Sequence, residues 1–387
     1  KKSRRGLGWG RHQGTTMHTM DPALQTIADH IRHAAAHGTP LRIRGGGTKD
    51  FYGEPPQGEV LDTTTWSGIT DYEPSELVVT VRSGTPLAVL EDTLAQQGQC
   101  LAFEPPRYAP GGTVGGMVAA GLSGPARAHV GAVRDFVLGV TLLNGRGELL
   151  TFGGQVMKNV AGYDVSRLMA GALGTLGVLT DISLKVLPFA PAEATLRFGM
   201  DQATALQQLH RWGGLPLPLN ASCWVSDNGV DTLYVRLRGA VAAVDAACRQ
   251  MGGERLDNPQ VAADWQACRD HQLPWFKARA GRALWRLSVP QTSPVLDLPT
   301  TPLVEWQGAQ RWVMVDAGDA AAAGHLRRTA AAVGGSASLF IAAPADGLGA
   351  TGRFDTLSAP LEQIHRALKR EFDPAGILNP GRLYPGW

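Results

Sequence analysis

The residues of this 387-residue chain best suited to chemistry are two clusters of glycine rather than acids, bases or thiols. The first is Gly45, Gly46 and Gly47, which follows the short apolar stretch LRIR and is flanked by Arg44, Thr48 and Lys49. Glycine weakens a strand and costs backbone entropy, so a triplet there implies main chain that something approaches closely. Bare N–H groups between cations suit a pyrophosphate, whose charge they neutralise. The second cluster lies between Glu104 and Gly131 and contains Gly111, Gly112, Gly115, Gly116, Gly121 and Gly124 among small residues. Main chain of that kind suits a planar ring, either a flavin or a nucleobase. Each cluster alone is a weak signal, because triple glycines often only turn; the pair favours a ligand.

Other nucleotide signatures are absent. Lys49 follows Thr48, which reverses the order a P-loop needs, and no GxGxxG sits on a strand-to-helix turn. Cys100, Cys223, Cys248 and Cys268 are widely spaced, so neither a zinc site nor an iron–sulfur cluster is expected, and a reducing cytoplasm is the default. His30, His33 and His37 share a helix face but lack further ligands, and read as a solvated surface. Arg107, Arg127, Arg134 and Lys158 are candidate cations for a carboxylate, and His129 and Tyr163 candidate proton acceptors; none forms a recognisable acid–base pair.

The elements that must position these clusters are legible from pattern. Asp21 caps and Pro22 starts a helix that Gly38 ends, with Leu24, Ile27, Ile31 and Ala35 on one face. Leu77–Val81 reads as a buried strand, and Thr85-Pro86 opens a helix closed by Gly98. Val137–Phe152 reads as two strands around a turn containing Asn144-Gly145, and the segment ending at Pro188 as another strand. From Leu196 to Ile341 short strands alternate with Ala-rich helices, which predicts a second α+β unit with an antiparallel sheet. Seven of the ten tryptophans fall there and are expected in its core. The tail carries an amphipathic helix through Leu361, Ile364 and Leu368. With 44% hydrophobic residues and a net charge of +2, the chain offers no reason to expect a nucleic-acid partner, and no apolar run approaches the ~20 residues of a transmembrane segment.

Five blocks appear in the order found in FAD-linked oxidases: RGGGTK, GGTVGGMVAAGLSG, VRDFVLGVTLLNGRGELL, MKNVAGYDVSRLMAGALGTLGVLTDISLKVLP and FDPAGILNPGR. The chain resembles the vanillyl-alcohol oxidase and p-cresol methylhydroxylase (PCMH) type. Through YEPSELVVTVRSGTPL, VMKNVAGYDVSRLMAG, QLPWF and LNPGRLY it is most similar to the FAD-binding subunits of bacterial glycolate oxidase (glycolate dehydrogenase).

That resemblance implies an α+β protein. A flexible extension (1–20) precedes a two-subdomain PCMH-type FAD-binding domain (21–190), followed by an α+β cap (191–345) with an antiparallel sheet. A tail (346–387) packs back near the FAD domain. It also implies that Arg44, Gly45, Gly46, Gly47, Thr48 and Lys49 cradle the FAD pyrophosphate. Gly111, Gly112, Thr113, Gly115 and Gly116 are expected to line the flavin and ribityl region. Arg134, Asp135, Val137, Gly162 and Tyr163 would flank the cofactor, Gly177, Val178 and Leu179 meet the adenine end, and Asn379 and Arg382 return near the flavin.

Thr48 and Lys49 stand where covalent relatives commonly carry histidine, so FAD is expected to be non-covalent. Paired histidine motifs of hydroxy-acid-oxidising relatives are missing, and no catalytic residue is assigned. The expected partners are a sister catalytic FAD subunit and an iron–sulfur subunit, with a small hydroxy acid as substrate of the complex. The location is then cytoplasmic, peripheral to the inner membrane through those partners. Two alternatives remain at this level: a self-contained FAD oxidoreductase of a 2-hydroxy acid or alcohol, and a non-catalytic FAD-binding scaffold.

Overall fold

The computed structural model describes residues 21–154, 164–343 and 352–387. The first helix spans Pro22–His37; the Asp21 carboxylate accepts from the Ala23 N–H, and Gly38 ends it at φ 65°. Leu24, Ile27 and Ile31 on its apolar face are buried. The strand Leu41–Arg44 pairs in parallel with Glu59–Asp62, and Leu378 from the C-terminal tail bridges to Leu41 on the other side. The tail thus extends the sheet from which the first glycine loop departs.

A five-stranded antiparallel sheet follows, in the order Ile69–Glu73, Val78–Arg82, Val178–Lys185, Val137–Leu143, Leu149–Gly153. The helices Leu87–Gln96 and Val114–Ala120 cover it through Leu90, Leu94, Met117 and Val118, which pack with Val81, Ile182 and Leu184. The second helix carries the glycine-rich segment, and Thr113 caps it by accepting from the Gly116 N–H. The sheet therefore holds the second glycine cluster from behind.

The later part of the chain forms an eight-stranded sheet. Its order is Glu254–Leu256, Ala192–Gly199, Val230–Gly239, Leu219–Asp227, Leu303–Glu305, Gln310–Val315, Ala283–Ser288, Ser336–Ile341. Every pairing in it is antiparallel, as the sequence predicts. Trp212, Trp224, Trp265, Trp285, Trp306 and Trp312 are buried, and Trp275 is half-buried.

An ion cluster and a group of rings are among the contacts that join the two parts of the chain. Glu104 accepts from Arg236 at 2.6 and 2.8 Å, from Arg238 at 2.9 Å and from the Ala126 N–H at 3.1 Å. Burial pushes the Glu104 carboxyl upward, but the two guanidiniums outweigh it and hold the pKa below the usual value. Beside this lies a cluster of rings from both parts: Tyr52 and Tyr108 meet His271, Trp312 and Phe340, with neighbouring centroids 4.5–6.1 Å apart.

Candidate functional site

Both glycine clusters open into one cleft. It is lined by Arg44–Asp50, Thr63, Ser83, Thr113, Gly115, Gly116, Ala119, Ala120, Met169, Ala172–Gly174, Gly177, Leu179, Asn379 and Arg382. The space within it, including space open to solvent, is about 850 Å³. The loop after Leu41–Arg44 leaves five consecutive backbone N–H groups, from Gly45 to Lys49, with no protein acceptor among the described residues. Gly46 is exposed and the other four residues are half-buried, which leaves these donors open to a ligand. A run of them beside a cleft is a concave seat for an anion.

The glycines permit this seat through contact between the two loops. A Cβ on Gly46 would fall 1.7 Å from the Gly111 carbonyl oxygen, and one on Gly45 2.4 Å from the Thr113 hydroxyl. Gly47 adopts φ 68°, and its Cβ would strike the Arg44 guanidinium. The loops press against each other back to back, so their glycines are required before any ligand is considered. Gly111 and Gly112 accordingly sit behind the cleft lining, against Gly46 and Thr48.

Charge is arranged to match. Lys49 has no carboxylate within 4 Å among the described residues, and burial lowers its pKa to about 8, partly offset by Asp270. Arg44 is paired with Asp50 at 3.0 Å, and Arg42 also bonds that carboxylate. Two arginines share that one carboxylate, so this end of the cleft carries net positive charge, with Lys49 the lysine that contributes to it. A bound pyrophosphate would restore its pKa toward the ordinary lysine range. Affinity for FAD is then expected to be flat below pH 8 and to fall as pH rises above it, because binding takes up a proton there. Lys49→Met should weaken FAD binding by ~10- to 100-fold, the loss of one charge-assisted contact of ~1.5–3 kcal/mol. Flavin titration across pH 6–10 (about two units either side of the lysine pKa) checks both.

The C-terminal tail closes the cleft. Asn379, at φ 42°, accepts from the Ile43 N–H at 2.7 Å and donates to the Leu173 carbonyl at 2.6 Å. Arg382, buried, donates to the carbonyls of Asp50, Lys49 and Glu54; burial lowers its pKa to about 10. Asn379 thus binds main chain on two walls and clasps them, whereas Arg382 pins the tail to residues 49–54.

Several expected site residues lie elsewhere. Asp135 accepts from the Ala132 N–H and caps its own short helix, Val137 is packed in the core of the five-stranded sheet, and Arg134 faces a separate surface pocket. Val178 points away from the cleft into the core against Leu143, because alternate residues of a strand face opposite sides. Gly162 and Tyr163, like Lys158, lie outside the described residues. Conversely, pattern reading did not find Asp50, Ser83, Met169 and Leu173, which line the cleft. Nor did it find the seam residues Tyr108, His271 and Arg286, which converge on a cavity of about 270 Å³. Burial and the nearby Arg286 guanidinium hold His271 at a pKa of about 3, so its imidazole is neutral.

The comparisons agree with this geometry. The model of the FAD binding domain family matches residues 23–153. The fold is that of a solved alkyldihydroxyacetonephosphate synthase, with a TM-score of 0.63, 14% identity, and coverage of 92% of this chain and 74% of that one. The family match and the fold together define an FAD-binding protein of the PCMH type. The chain is 44% identical to glycolate oxidase subunit GlcE of Escherichia coli strain K12, over 93% of its length and 97% of the relative's. It belongs to that family of glycolate oxidase subunits. Similarity to glycolate oxidase subunit GlcD of Bacillus subtilis strain 168 is narrower, at 31% identity over 41% of this chain and 34% of the relative. D-lactate dehydrogenase of Anaerostipes hadrus matches at 34% identity over 34% of this chain.

Proposed function

We propose that this chain is the FAD-binding subunit of a multi-subunit glycolate oxidase, which oxidises glycolate to glyoxylate. In it the chain carries electrons or supports assembly beside a sister FAD subunit and an iron–sulfur subunit. The observation that carries this reading is the cleft itself, a run of unpaired main-chain donors with an unpaired lysine, in a chain that matches subunit GlcE along nearly its whole length. FAD, when bound, supplies the two-electron acceptor. Gly45–Lys49 would hold the pyrophosphate non-covalently, Gly177 and Leu179 would border the adenine end, Asn379 would keep the walls together, and Arg382 would pin the tail.

The packing beyond Ala120 supports a role without independent turnover. There Leu122 and Tyr108 meet the rings of His271, Trp312 and Phe340. The cavity left among them, about 270 Å³ including space open to solvent, is below the ~300 Å³ floor of ordinary ligand sites. A neutral His271 beside Arg286 has the groups a hydroxy acid needs, a proton acceptor and a cation, but the rings leave it little room. No helix among the described residues is long and apolar enough to cross a membrane, so any membrane association runs through partners on this reading.

The test is flavin reduction. The isolated chain is expected to be yellow and to keep its visible absorbance when glycolate is added without oxygen, and to bleach within the assembled complex. Rapid bleaching of the isolated chain would replace the relay by autonomous catalysis. A colourless chain that still assembles would leave only the scaffold.

A further inference from the structure

The helix Ala359–Phe372 lies on the surface with only Phe372 buried, yet its sequence is strongly two-sided. Leu361 and Ile364, one turn apart, are 49% and 54% exposed, and Leu368 continues the stripe. The stripe runs into a pocket lined by Leu168, Leu176, Leu383, Tyr384 and Trp387, with about 950 Å³ of space including that open to solvent. The Tyr384 and Trp387 rings pack with centroids 4.6 Å apart, and the Arg366 guanidinium stands 4.6 Å over Trp387.

The ionisable side chains that line this pocket are basic: Arg134, Arg167, His365, Lys369 and Arg382, with no acidic side chain among the described residues. Lys369, Arg382 and Arg167 are engaged with Asp373, backbone carbonyls and Asp164. Arg134 is exposed and has no hydrogen-bond or ion-pair partner among the described residues. A contiguous apolar strip of this kind, rimmed by charge, marks a site of protein association.

We propose that the outer face of Ala359–Phe372 and the adjoining pocket form a docking surface for a different polypeptide, one presenting an apolar side chain flanked by carboxylates. The occupant's chemistry follows from the rim, since like charges across an interface repel and opposite ones steer and hold. For the same reason a second copy of this chain is a poor fit, as it would set arginine against arginine. A helix of 14 residues extends over about 21 Å, more than a small molecule covers. The proposal rests on the reading of the chain as an oxidase subunit, and its occupant is a companion subunit.

The experiment co-expresses the full chain with the companion flavin and iron–sulfur subunits and measures recovery on a tagged companion. Ile364→Glu is expected to cut recovery at least ~10-fold, the effect of burying an unpaired charge in an interface core. The melting temperature and flavin content of the isolated variant should match the parent. Arg134→Glu should weaken assembly most at low salt. Val241→Glu, at a 56% exposed position on another helix, should assemble normally. If the parent chain fails to assemble, the subunit reading falls and takes this surface with it. If the parent assembles and Ile364→Glu assembles equally well, the surface alone is overturned. A lowered melting temperature of isolated Ile364→Glu would show the stripe to be covered by the chain's own residues. Loss of a self-dimer in that variant would assign it to a second copy. Either result overturns the proposal.

Discussion

Gly46→Ala is expected to give a chain that purifies without flavin. The added methyl would stand 1.7 Å from the Gly111 carbonyl oxygen and 2.5 Å from its carbon, both backbone atoms that no rotamer change can move. Overpacking at adaptable sites costs ~1–3 kcal/mol, and a clash between two main chains belongs at or above the top of that range. The loops must separate, and the run of donors from Gly45 to Lys49 loses its curvature. Gly199→Ala is the control, because its methyl meets nothing within 4 Å. Flavin absorbance per chain, with far-ultraviolet circular dichroism to confirm that both sheets persist, reads the outcome. Full occupancy in Gly46→Ala would mean that the loops are not in contact as described.

Asp373→Ala should be the most destabilising single change in the tail. The Asp373 carboxylate is inaccessible to solvent and accepts from Lys369 Nζ at 2.6 Å and from the Leu378 and Ile377 N–H groups at 2.8 and 3.2 Å. Lys369 also donates to the carbonyls of Thr175 and Leu378, which ties helix, tail and cleft wall through one ammonium. Burial already lowers the Lys369 pKa, with Asp373 opposing the shift. Removing the carboxylate strands that cation, at a cost of ~3–5 kcal/mol. Removing both, in Lys369→Met/Asp373→Ala, should cost less than Asp373→Ala alone. Thermal unfolding of the three variants decides the matter, and a double variant less stable than the single would contradict a buried pair.

The helices and strands were legible because their signals are local. Asp21 and Gly38 bracket the first helix as their backbone preferences require, and Val78–Arg82 forms one residue along from the predicted strand. The gathering of the two glycine clusters was also legible, though not the reason for each glycine. Gly46 was a candidate ligand contact in sequence, whereas in space its missing side chain faces the other loop. Val178 and Leu179 are neighbours in a motif, and strand alternation sends only one of them to the cleft. Asp135 reads as a site residue but is used by the nearest N–H group. The seam was beyond reach, since Tyr108, His271 and Arg286 come from distant segments and no spacing rule connects them. The tail helix was read as two-sided, and the structure adds that its apolar side is left open.

The Asn379 clasp has a consequence for truncation. Ile43 and Leu173 belong to segments far apart in the chain, and both bond to this single side chain. A product cut short before Asn379 lacks that tie and is expected to hold FAD more weakly.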